Sequence, residues 1–360
     1  MTSVDATVRA DVPGSPYDIV VGRGIVDDLE QLVPALEEAE NVFVLTQARL
    51  GDLAAKVSTG DGADTQILLL DEGESAKSLE SVGRIYDALA ARGAHRHDAI
   101  VAVGGGVVTD IGGFVASTFN RGMTLVNVPT TLLGQVDAAI GGKTGINLSY
   151  GKNLVGTIYQ PAAVVCDIEL LASLPESEFI SGLAEVAKYG FISDPSLLDL
   201  LLENGAELRA GDPDLLAEIV ARSARIKAAI VAEDERESGV RAHLNYGHTW
   251  AHAIERVSGY GHVRHGEAVS VGMMAAAYLA AEMELIDDSV VLQHRKVLEA
   301  VGLPVTATLT LEQLSEAWLR DKKFNRGVRF VLLEKTRDGD ISPRSGIEAP
   351  QESIVKAIER

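Results

Sequence analysis

Four of the eight histidines in this chain fall between positions 248 and 265, in a segment otherwise rich in glycine and apolar residues. His248 and His252 are four residues apart, a spacing that presents both imidazoles on one side of a helix. His262 and His265 follow closely. One histidine in such a segment would indicate a core or surface residue, whereas four together favour a metal site.

A carboxylate that suits the same site is Glu185, which lies three residues before Lys188. That spacing alone indicates an ordinary ion pair on a helix. One carboxylate with two or three imidazoles is also typical of a catalytic Zn2+ or similar divalent ion that keeps positions open for substrate. Spacing leaves two ligand sets open, in which either His265 or His252 joins Glu185 and His248. The sequence contains no His-Glu-x-x-His motif and so does not support a metalloprotease of that class.

A run of glycines at positions 104–106 follows the apolar stretch 99–103 and precedes a helical pattern that begins near Val107. Glycines there allow backbone N–H groups to approach an anion at the start of a helix. The spacing is not the dinucleotide pattern Gly-x-Gly-x-x-Gly, so a plain tight turn is the alternative. Asp110, one turn into the helix, could reach a ribose or complement the helix dipole. The motif therefore indicates a nucleotide site without identifying the nucleotide.

Residues 140–144 superficially resemble a phosphate-binding loop, but Asp137 occupies the position where that motif needs its first glycine. A nucleoside triphosphatase is therefore disfavoured. Lys143, Lys152 and Asn153 nevertheless cluster with Asp137 in one glycine-rich stretch. In a chain this acidic, lysines among glycines predict a pocket for an oxyanion rather than a solvated face.

The overall charge limits the possible partners. With 52 acidic and 32 basic residues the formal net charge is -20, so nucleic acid is repelled and an anionic substrate needs a local basic cluster. The single cysteine, Cys166, excludes an intrachain disulfide and a cysteine zinc site, and its apolar neighbours predict an inert core thiol. The first residues lack an apolar signal core and stretch 268–281 is too short to span a bilayer, so we expect a cytoplasmic protein without membrane contact.

Apolar patterns predict the elements that must position these groups. Apolar runs alternate with helical patterns in the first half, which is typical of a Rossmann-like α/β domain with a doubly wound parallel sheet. Strands are predicted at 17–22, 42–46, 65–70, 99–103, 123–128 and 163–167, and helices at 26–36 and 78–92. After residue 175 helices dominate, at 178–192, 195–204, 214–233, 249–257, 267–284 and 288–301. We therefore expect an α/β domain at 1–175, a mainly α-helical domain at 176–360, and an active site in the crevice between them.

The motifs above belong to eight longer stretches of the sequence, which are GESAK at 73–77, GGGVVTD at 104–110, VPTTLLGQVDAAIGGKTGIN at 128–147, GKNLVG at 151–156, GLAEVAKYG at 182–190, LNYGHTWAHAIE at 244–255, HGEAV at 265–269 and DKK at 321–323. Each stretch is a weak signal alone. In this order and over most of the chain, they resemble the 3-dehydroquinate synthase family of the sugar phosphate cyclase superfamily.

The resemblance implies an NAD-binding α/β domain, a helical domain for metal and substrate, and a homodimer. It implies conversion of 3-deoxy-D-arabino-heptulosonate 7-phosphate, a sugar phosphate, to 3-dehydroquinate and phosphate, a step of the shikimate route to aromatic amino acids. NAD would take a hydride from the substrate and return it after phosphate elimination, and an intramolecular aldol step would close the ring. One divalent metal, Zn2+ or Co2+, would act as a Lewis acid on two substrate hydroxyls.

The resemblance also implies roles for individual residues. It selects Glu185, His248 and His265 as metal ligands and places His252 in proton handling beside the substrate. The implied catalytic residues are Lys143, Lys188, Asn245, His252 and Asp137. The implied substrate-binding residues are Lys152, Asn153, Lys227, Arg241, Lys322 and Arg121, the last reaching the phosphate site of the neighbouring subunit. The implied NAD-binding residues are Glu74, Lys77, Gly104, Gly105, Gly106, Val107, Asp110, Thr130, Thr131, Lys143, Lys152, Leu170 and Ser173.

Three other functions compete with this interpretation. A sibling cyclase, such as a valiolone-type synthase, would alter the carboxylate and hydroxyl contacts, whereas Lys227, Arg241, Asn245 and His252 follow the dehydroquinate pattern. A metal-dependent dehydrogenase of the glycerol dehydrogenase type would lack the lysine-rich phosphate pocket and would accumulate NADH. A nucleotide-binding protein without activity would lose metal ligands, all of which this chain retains.

Overall fold

The computed structural model describes residues 3–57, 64–259, 262–307, 311–319 and 328–360. The chain forms two compact units. Unit 1 comprises Met1–Leu174 and Pro213–Arg236, and unit 2 comprises Pro175–Asp212 and Glu237–Arg360. The expected substrate-binding residue Lys322 lies outside the described residues.

Unit 1 is built on a seven-stranded sheet in the order β1-β2-β9-β6-β5-β3-β4. Every neighbouring pair is parallel except β1 and β2, which confirms the predicted parallel α/β sheet. The edge strand β1 has only Val8 and Ala10 buried, so its apolar signal is too weak to predict a strand. The strands of this unit are β1 (Ser3–Ala10), β2 (Tyr17–Arg23), β3 (Asn41–Gln47), β4 (Asp64–Leu70), β5 (Ala99–Gly104), β6 (Thr124–Pro129), β7 (Lys143–Leu148), β8 (Gly151–Ile158) and β9 (Ala163–Asp167).

Along the chain, helices α1 to α4 lie between the strands of unit 1, and the remaining helices follow β9. In chain order they are α1 (Leu29–Leu32), α2 (Gly51–Lys56), α3 (Leu79–Ala91), α4 (Gly106–Thr118), α5 (Glu176–Ile192), α6 (Pro195–Glu203), α7 (Gly205–Arg209), α8 (Pro213–Glu233), α9 (His248–Ser258), α10 (His265–Glu282), α11 (Asp288–Ala300), α12 (Leu311–Leu319) and α13 (Gln351–Glu359). Cys166 in β9 is fully buried, and burial raises the pKa of its thiol, as expected of a core residue.

The helix predicted over residues 26–36 is interrupted. Ile25–Asp28 and Pro34–Leu36 are 3-10 turns, and α1 between them is a single turn. Pro34 explains the break, because proline lacks the N–H that would continue the helix and disfavours the α conformation in the preceding residue. Val33 accordingly has φ -127 and ψ 84.

Helix α8 differs from the expected division at residue 175, because it belongs to unit 1. Its apolar residues Leu216, Ile219 and Val220 are buried, and the helix packs along β1 and β2. Arg23, the last residue of β2, donates a hydrogen bond to Asp214 at 2.5 Å. A helical pattern shows that one face is apolar but not which core receives that face, so the sequence alone could not make this assignment.

Strands β7 and β8, which the apolar pattern does not predict, form an antiparallel hairpin in unit 1. A Cβ on Gly156 would lie 2.0 Å from the backbone oxygen of Thr144, so only glycine allows this pairing. Lys143 begins β7, and Lys152 and Asn153 lie at the start of β8. The hairpin therefore carries three of the expected site residues.

Unit 2 is mainly helical, as predicted, and α10 lies at its centre. Helices α5, α9, α11 and α13 all pack against α10, as does β10 (Phe330–Lys335), which pairs with β11 (Ile341–Ile347). A Cβ on Gly272 of α10 would lie 2.2 Å from the backbone oxygen of Gly247, which shows how closely α9 and α10 approach. Within the described ranges, no helix combines the length and the apolar character needed to cross a membrane.

Candidate functional site

The three expected metal ligands come from three helices of unit 2. Glu185 lies in the middle of α5, whereas His248 and His265 are the first residues of α9 and α10. The Nε2 atoms of both histidines lie 3.5 Å from Oε1 of Glu185. The three ligand atoms lie within 4.8 Å of one another. Glu185 is fully buried, while the His248 and His265 side chains are 13% and 31% exposed.

Glycines hold these helices close enough for the three side chains to meet. A Cβ on Gly266 would lie 1.8 Å from the backbone oxygen of Ser181 in α5, and the Gly266 N–H donates to Ser181 Oγ at 3.0 Å. Gly247 has φ +78, and a Cβ there would lie 2.8 Å from Met273 Cγ in α10. Because a side chain fits at neither position, glycine is what allows the first residues of α9 and α10 to lie beside α5.

Lys188 contacts the second oxygen of the Glu185 carboxylate, Oε2, while Oε1 faces the two histidines. Burial lowers the pKa of His248 to about 3, against the attraction of Glu185. Burial also opposes the charged form of His265, but the carboxylates of Glu185 and Glu255, which lie 3.5 and 3.7 Å from its ring nitrogens, outweigh it and raise the pKa of His265 to about 10. A cation bound to Nε2 of His265 would therefore displace a proton, so cation binding here is coupled to proton release.

The donor atoms of this cluster fit a divalent transition metal, since one carboxylate oxygen and two imidazole nitrogens leave coordination positions for substrate. His252, the alternative ligand, lies one turn along α9, with its ring centroid 5.6 Å from that of His248. Its side chain is exposed, and it is not part of the group within 4.8 Å found among the described residues. The structure brings together the ligand set that contains His265.

In unit 1 the glycine run lies beside the residues that follow β6. Strands β5 and β6 are neighbours and Gly104 pairs with Pro129, so the Thr130 N–H donates to the Gly104 carbonyl at 3.0 Å. A Cβ on Gly105 would lie 3.1 Å from Thr131 Cγ2, so this side of the loop has little room for a side chain. Helix α4 begins at Gly106, which directs its first N–H groups to this edge of the sheet.

A polar network lies next to this loop and contains four expected site residues. Lys77, which is 4% exposed, donates to Asp110 Oδ2 and to Asn153 Oδ1, each at 2.5 Å. Glu74 Oε1 lies 3.8 Å from the Lys77 ammonium and accepts from Asn147 Nδ2 at 2.9 Å. Burial raises the pKa of Asp110 to about 6, although Lys77 opposes this shift. The network joins β8 and the start of α4 through one buried ammonium group.

Other expected residues of unit 1 lie in separate contacts. Lys227 of α8 donates to the side chain and to the backbone oxygen of Asp137, both at 2.6 Å. Asp137 lies in the π-helical turn Gly134–Ala138, a local distortion that is common at functional sites. Lys143 is exposed at the start of β7, and Lys152 is half-buried in β8. Val107 is half-buried in the first turn of α4. In the 3-10 turn after β9, the Ser173 hydroxyl donates to the Leu170 carbonyl at 3.1 Å.

Arg121 ends the turn that follows α4 and is exposed. It has φ 68, and the preceding Asn120 has φ 49, so two successive non-glycine residues adopt left-handed conformations. Such backbone conformations are uncommon outside glycine and are concentrated at functional sites.

The expected substrate residues of unit 2 lie between α8 and α9 in the sequence. Arg241 is 1% exposed, an unusual environment for a guanidinium group. Asn245 Nδ2 donates to Glu237 Oε1 at 2.5 Å and to the Ala242 carbonyl at 3.2 Å. These contacts fix the orientation of the Asn245 amide in front of α9.

Sequence reasoning missed three residues that hold the expected ones in place. Glu237 has no local pattern that distinguishes it, and only the structure pairs it with Asn245. Asn147 donates to Glu74 and accepts from the Asn153 N–H at 2.8 Å. Glu255 lies 3.7 Å from Nδ1 of His265. Its position seven residues after His248, two turns along the same helix face, was the signal that could have found it.

Comparison with known proteins gives consistent results along the chain. The family model for the 3-dehydroquinate synthase N-terminal region matches residues 67–181, and the model for the 3-dehydroquinate synthase C-terminal region matches residues 182–324. A 3-dehydroquinate synthase from Mycolicibacterium gilvum is 44% identical over 359 residues, which cover 98% of this chain and 97% of that protein.

Two solved structures share the fold over nearly the whole chain. The first is a 2-deoxy-scyllo-inosose synthase complexed with carbaglucose-6-phosphate, NAD+ and Co2+, with a TM-score of 0.86, 26% identity and coverage of 98% of this chain and 99% of that one. The second is a 2-epi-5-epi-valiolone synthase from Streptomyces hygroscopicus subsp. jinggangensis with NAD+ and Zn2+ bound, with a TM-score of 0.84, 28% identity and coverage of 95% and 96%.

Proposed function

This chain belongs to the 3-dehydroquinate synthase family, and from that membership we propose that it converts 3-deoxy-D-arabino-heptulosonate 7-phosphate to 3-dehydroquinate and inorganic phosphate. The observation that carries the proposal is the Glu185, His248 and His265 cluster, whose ligand atoms lie within 4.8 Å of one another in a chain 44% identical to a synthase of that name. The enzyme is then a carbon–oxygen lyase of aromatic amino acid biosynthesis, by the shikimate route.

The cofactors of the proposed enzyme are NAD and one Zn2+ or Co2+ ion. Structural relatives with NAD+ and either Co2+ or Zn2+ bound support this proposal, and the donor set of the cluster suits such an ion. When bound, the nicotinamide supplies a reversible hydride acceptor and the divalent ion supplies a Lewis acid for substrate hydroxyl groups. Unit 2 holds the metal through Glu185, His248 and His265, and unit 1 holds NAD.

We assign the NAD contacts to the edge of the sheet where β5 and β6 end. The first N–H groups of α4 are free to bind the pyrophosphate, because the glycines at 104–106 place no side chain over the backbone. Lys77 and Asp110 supply a buried, internally neutralised pair beside it. The further contacts are assigned to Glu74, Val107, Thr130, Thr131, Lys143, Lys152, Leu170 and Ser173.

Cationic and amide side chains bind and orient the substrate in this proposal. Lys143, Asn153, Asn245 and Lys322 take the phosphate end, Lys227 and Arg241 take the carboxylate, and Lys152 is a further substrate contact. An acidic chain with a net charge of -20 repels such a substrate, so these groups must supply the local attraction. The buried Arg241 suits a planar, two-point contact with a carboxylate.

The remaining assigned groups hold hydroxyls and protons. Asp137 and Lys188 contact substrate hydroxyls, and the fixed partners of each side chain, Lys227 and Glu185, hold them in one orientation. His252 moves protons beside the substrate. Its exposed position on α9 supports that role better than a structural one.

We further propose that the protein acts in the cytoplasm as a homodimer. Arg121 then serves the phosphate site of the neighbouring subunit, which its exposure and its left-handed backbone support. Light scattering of the purified chain should give twice the mass of one chain. A monomer that is fully active would contradict the proposed dimer. The Arg121→Ala variant should have lower activity than the unsubstituted chain but the same dimer mass.

The decisive assay is incubation of the full chain with the heptulosonate phosphate, NAD and Zn2+ or Co2+, while phosphate and NADH are both followed. We expect phosphate and 3-dehydroquinate in equal amounts without net NADH. Accumulation of NADH without phosphate release would identify a dehydrogenase of the glycerol type. Absence of phosphate release from protein with confirmed metal would refute the proposal.

A sibling sugar phosphate cyclase is the second candidate, favoured by TM-scores of 0.86 and 0.84 to two such enzymes. The two functions differ in whether the substrate carries a carboxylate. Glucose 6-phosphate, which has none, should release no phosphate with this chain. Turnover of glucose 6-phosphate at a rate equal to that of the heptulosonate phosphate would favour the sibling function.

A further inference from the structure

The two histidines of the metal cluster are held in different ways at their second ring nitrogen. Nδ1 of His248 lies 3.1 Å from the backbone carbonyl of Tyr246. Nδ1 of His265 lies 3.7 Å from Oε2 of Glu255, whose side chain is 11% exposed. One ring therefore faces a neutral backbone acceptor, and the other faces an almost buried carboxylate.

Both rings present the same atom to Glu185. Nε2 of each histidine lies 3.5 Å from the same carboxylate oxygen. Once a cation has displaced the Nε2 proton, the imidazole carries one proton, and an acceptor at Nδ1 keeps that proton there while the Nε2 lone pair binds the cation. The acceptors at Nδ1 therefore select the tautomer that can bind a metal.

Glu255 reaches this position through the geometry of α9. It lies seven residues after His248, so both side chains leave the same face of α9 two turns apart. His265 opens the neighbouring helix α10, and its ring lies with its centroid 5.3 Å from that of His248. The ring of His265 thus has Glu185 at one nitrogen and Glu255 at the other.

We propose that Glu255 is a positioning residue for the metal, acting through His265. Its carboxylate holds the Nδ1 proton, fixes the rotation of the ring, and makes Nε2 of His265 a stronger electron donor than Nε2 of His248, whose Nδ1 faces the Tyr246 carbonyl. The proposal rests on the proposed function only for the presence of a divalent ion at this cluster.

Zinc affinity tests the proposal without any substrate. Chelator competition at neutral pH should give Glu255→Gln a Zn2+ affinity about 10- to 100-fold below that of the unsubstituted chain, the usual effect of removing such a partner of a ligand. Glu255→Asp, which keeps the charge but shortens the reach, should fall between the two. The metal-free unfolding temperature of both variants should match that of the unsubstituted chain.

Glu267→Gln is the matched control. Glu267 lies two residues after His265 on the same helix, but its carboxylate accepts from the Arg264 N–H at 2.9 Å in a capping box. Glutamine can keep that hydrogen bond, so its Zn2+ affinity should stay within about threefold of the unsubstituted chain. A loss in the control equal to that of Glu255→Gln would mean that α10 itself has moved and would overturn the positioning role.

The visible spectrum of the Co2+ form supplies a readout that a merely structural role would not change. The ligand-field bands should shift in Glu255→Gln and remain unchanged in Glu267→Gln, because only the first alters the donor strength of His265. Zn2+ affinity within threefold of the unsubstituted chain in Glu255→Gln would overturn the proposal. If that variant does not fold, unaltered affinity in Glu255→Asp overturns it equally.

Failure of the proposed function is distinguishable from failure of this inference. An unsubstituted chain that binds Zn2+ tightly but releases no phosphate would refute the synthase assignment, while weaker binding by Glu255→Gln would still support the positioning role. An unsubstituted chain that binds no Zn2+ would overturn both.

Discussion

The glycine loop of unit 1 and the proposed metal cluster of unit 2 place polar groups by different means. The loop presents backbone N–H groups at the ends of two neighbouring strands, where Gly104 pairs with Pro129 and α4 begins two residues later. The cluster instead collects side-chain atoms from α5, α9 and α10 around one buried oxygen of Glu185. In the loop the geometry follows from the sheet, and in the cluster it follows from the packing of helices at glycine contacts.

This difference predicts that the two sites are sensitive to different kinds of substitution. A backbone site is damaged when a side chain fills the space that a ligand needs, whereas a side-chain site is damaged when one functional group is lost. Substitutions can therefore break one region and leave the other intact, if the two regions work as proposed.

Glu185→Gln should have the largest effect. The amide keeps the shape of the side chain but removes the charge at the centre of the cluster, so metal content and turnover should be lost together. We expect kcat/KM to fall on the order of 10³-fold, corresponding to about 4 kcal/mol of lost transition-state stabilisation. Metal analysis by mass spectrometry and the phosphate assay check this result.

Glu176→Gln is the control for that substitution, because Glu176 is exposed in the first turn of the same helix. It should retain metal and activity. Full metal occupancy in Glu185→Gln would show that the ligand assignment is wrong.

Arg241→Ala should have the next largest effect and should separate substrate binding from metal binding. Loss of a charge-assisted contact costs about 1.5–3 kcal/mol, so KM should rise about 10- to 100-fold. Metal content should not change. Arg295→Ala, on α11 of the same unit and paired with Glu299, should leave KM unaltered. A drop in zinc content that parallels the change in KM would argue against separate roles.

Gly105→Val should break the loop and spare the cluster. Since a Cβ at this position would lie 3.1 Å from Thr131 Cγ2, the branched side chain must displace Thr131 or occupy the space assigned to NAD. NADH fluorescence titration should give a Kd raised on the order of 10-fold, with zinc content unchanged. Gly51→Ala is the control, because a Cβ there meets nothing within 4 Å. NAD affinity equal to that of the unsubstituted chain in Gly105→Val would remove the loop from the proposed site.

His294 is a buried histidine of unit 2 that lies outside the cluster. We expect its substitution to change only the stability of the fold. It is fully buried, stacks on Phe191 with ring centroids 3.7 Å apart, and its Nδ1 donates to the Val290 carbonyl at 2.7 Å. Nε2 lies 2.9 Å from the Tyr246 hydroxyl, which therefore donates to it. Burial lowers the pKa of His294 to about 4.

The unfolded chain consequently binds more protons than the folded chain between the pKa values of about 6.5 and about 4, so stability falls as the pH drops through that range. The His294→Phe variant should be less stable than the unsubstituted chain at pH 7. Between about pH 7 and pH 5, however, its free energy of unfolding should fall by about 2 kcal/mol less than that of the unsubstituted chain. Denaturant unfolding at both pH values measures the difference. An identical pH dependence in both proteins would mean that His294 is not held neutral by its burial.

The elements with strong local patterns could be predicted from the sequence. Continuous apolar runs predicted the parallel strands. Pro34, which is visible in the sequence, explains why the helix predicted over residues 26–36 is interrupted. The roles of α8 and of the β7–β8 hairpin could not be predicted, because an apolar face or a glycine-rich stretch does not identify the surface against which it packs. Glu237 and Asn147 are in the same class, since their partners lie in other turns or strands.

The sequence determined only part of the proposed metal-ligand set, and the tertiary structure decided the rest. Residue type and spacing made Glu185 and His248 candidate ligands in both possible sets, and they left His252 and His265 as alternatives for the third ligand. Only the tertiary structure distinguishes these two by distance, because Gly266 lets α10 begin against Ser181 and so places His265 at 3.5 Å from Glu185. The same packing decides that Glu255 faces His265. Short sequence intervals show which functional groups can act together. The contacts that orient those groups depend on the packing of helices that are distant in the chain.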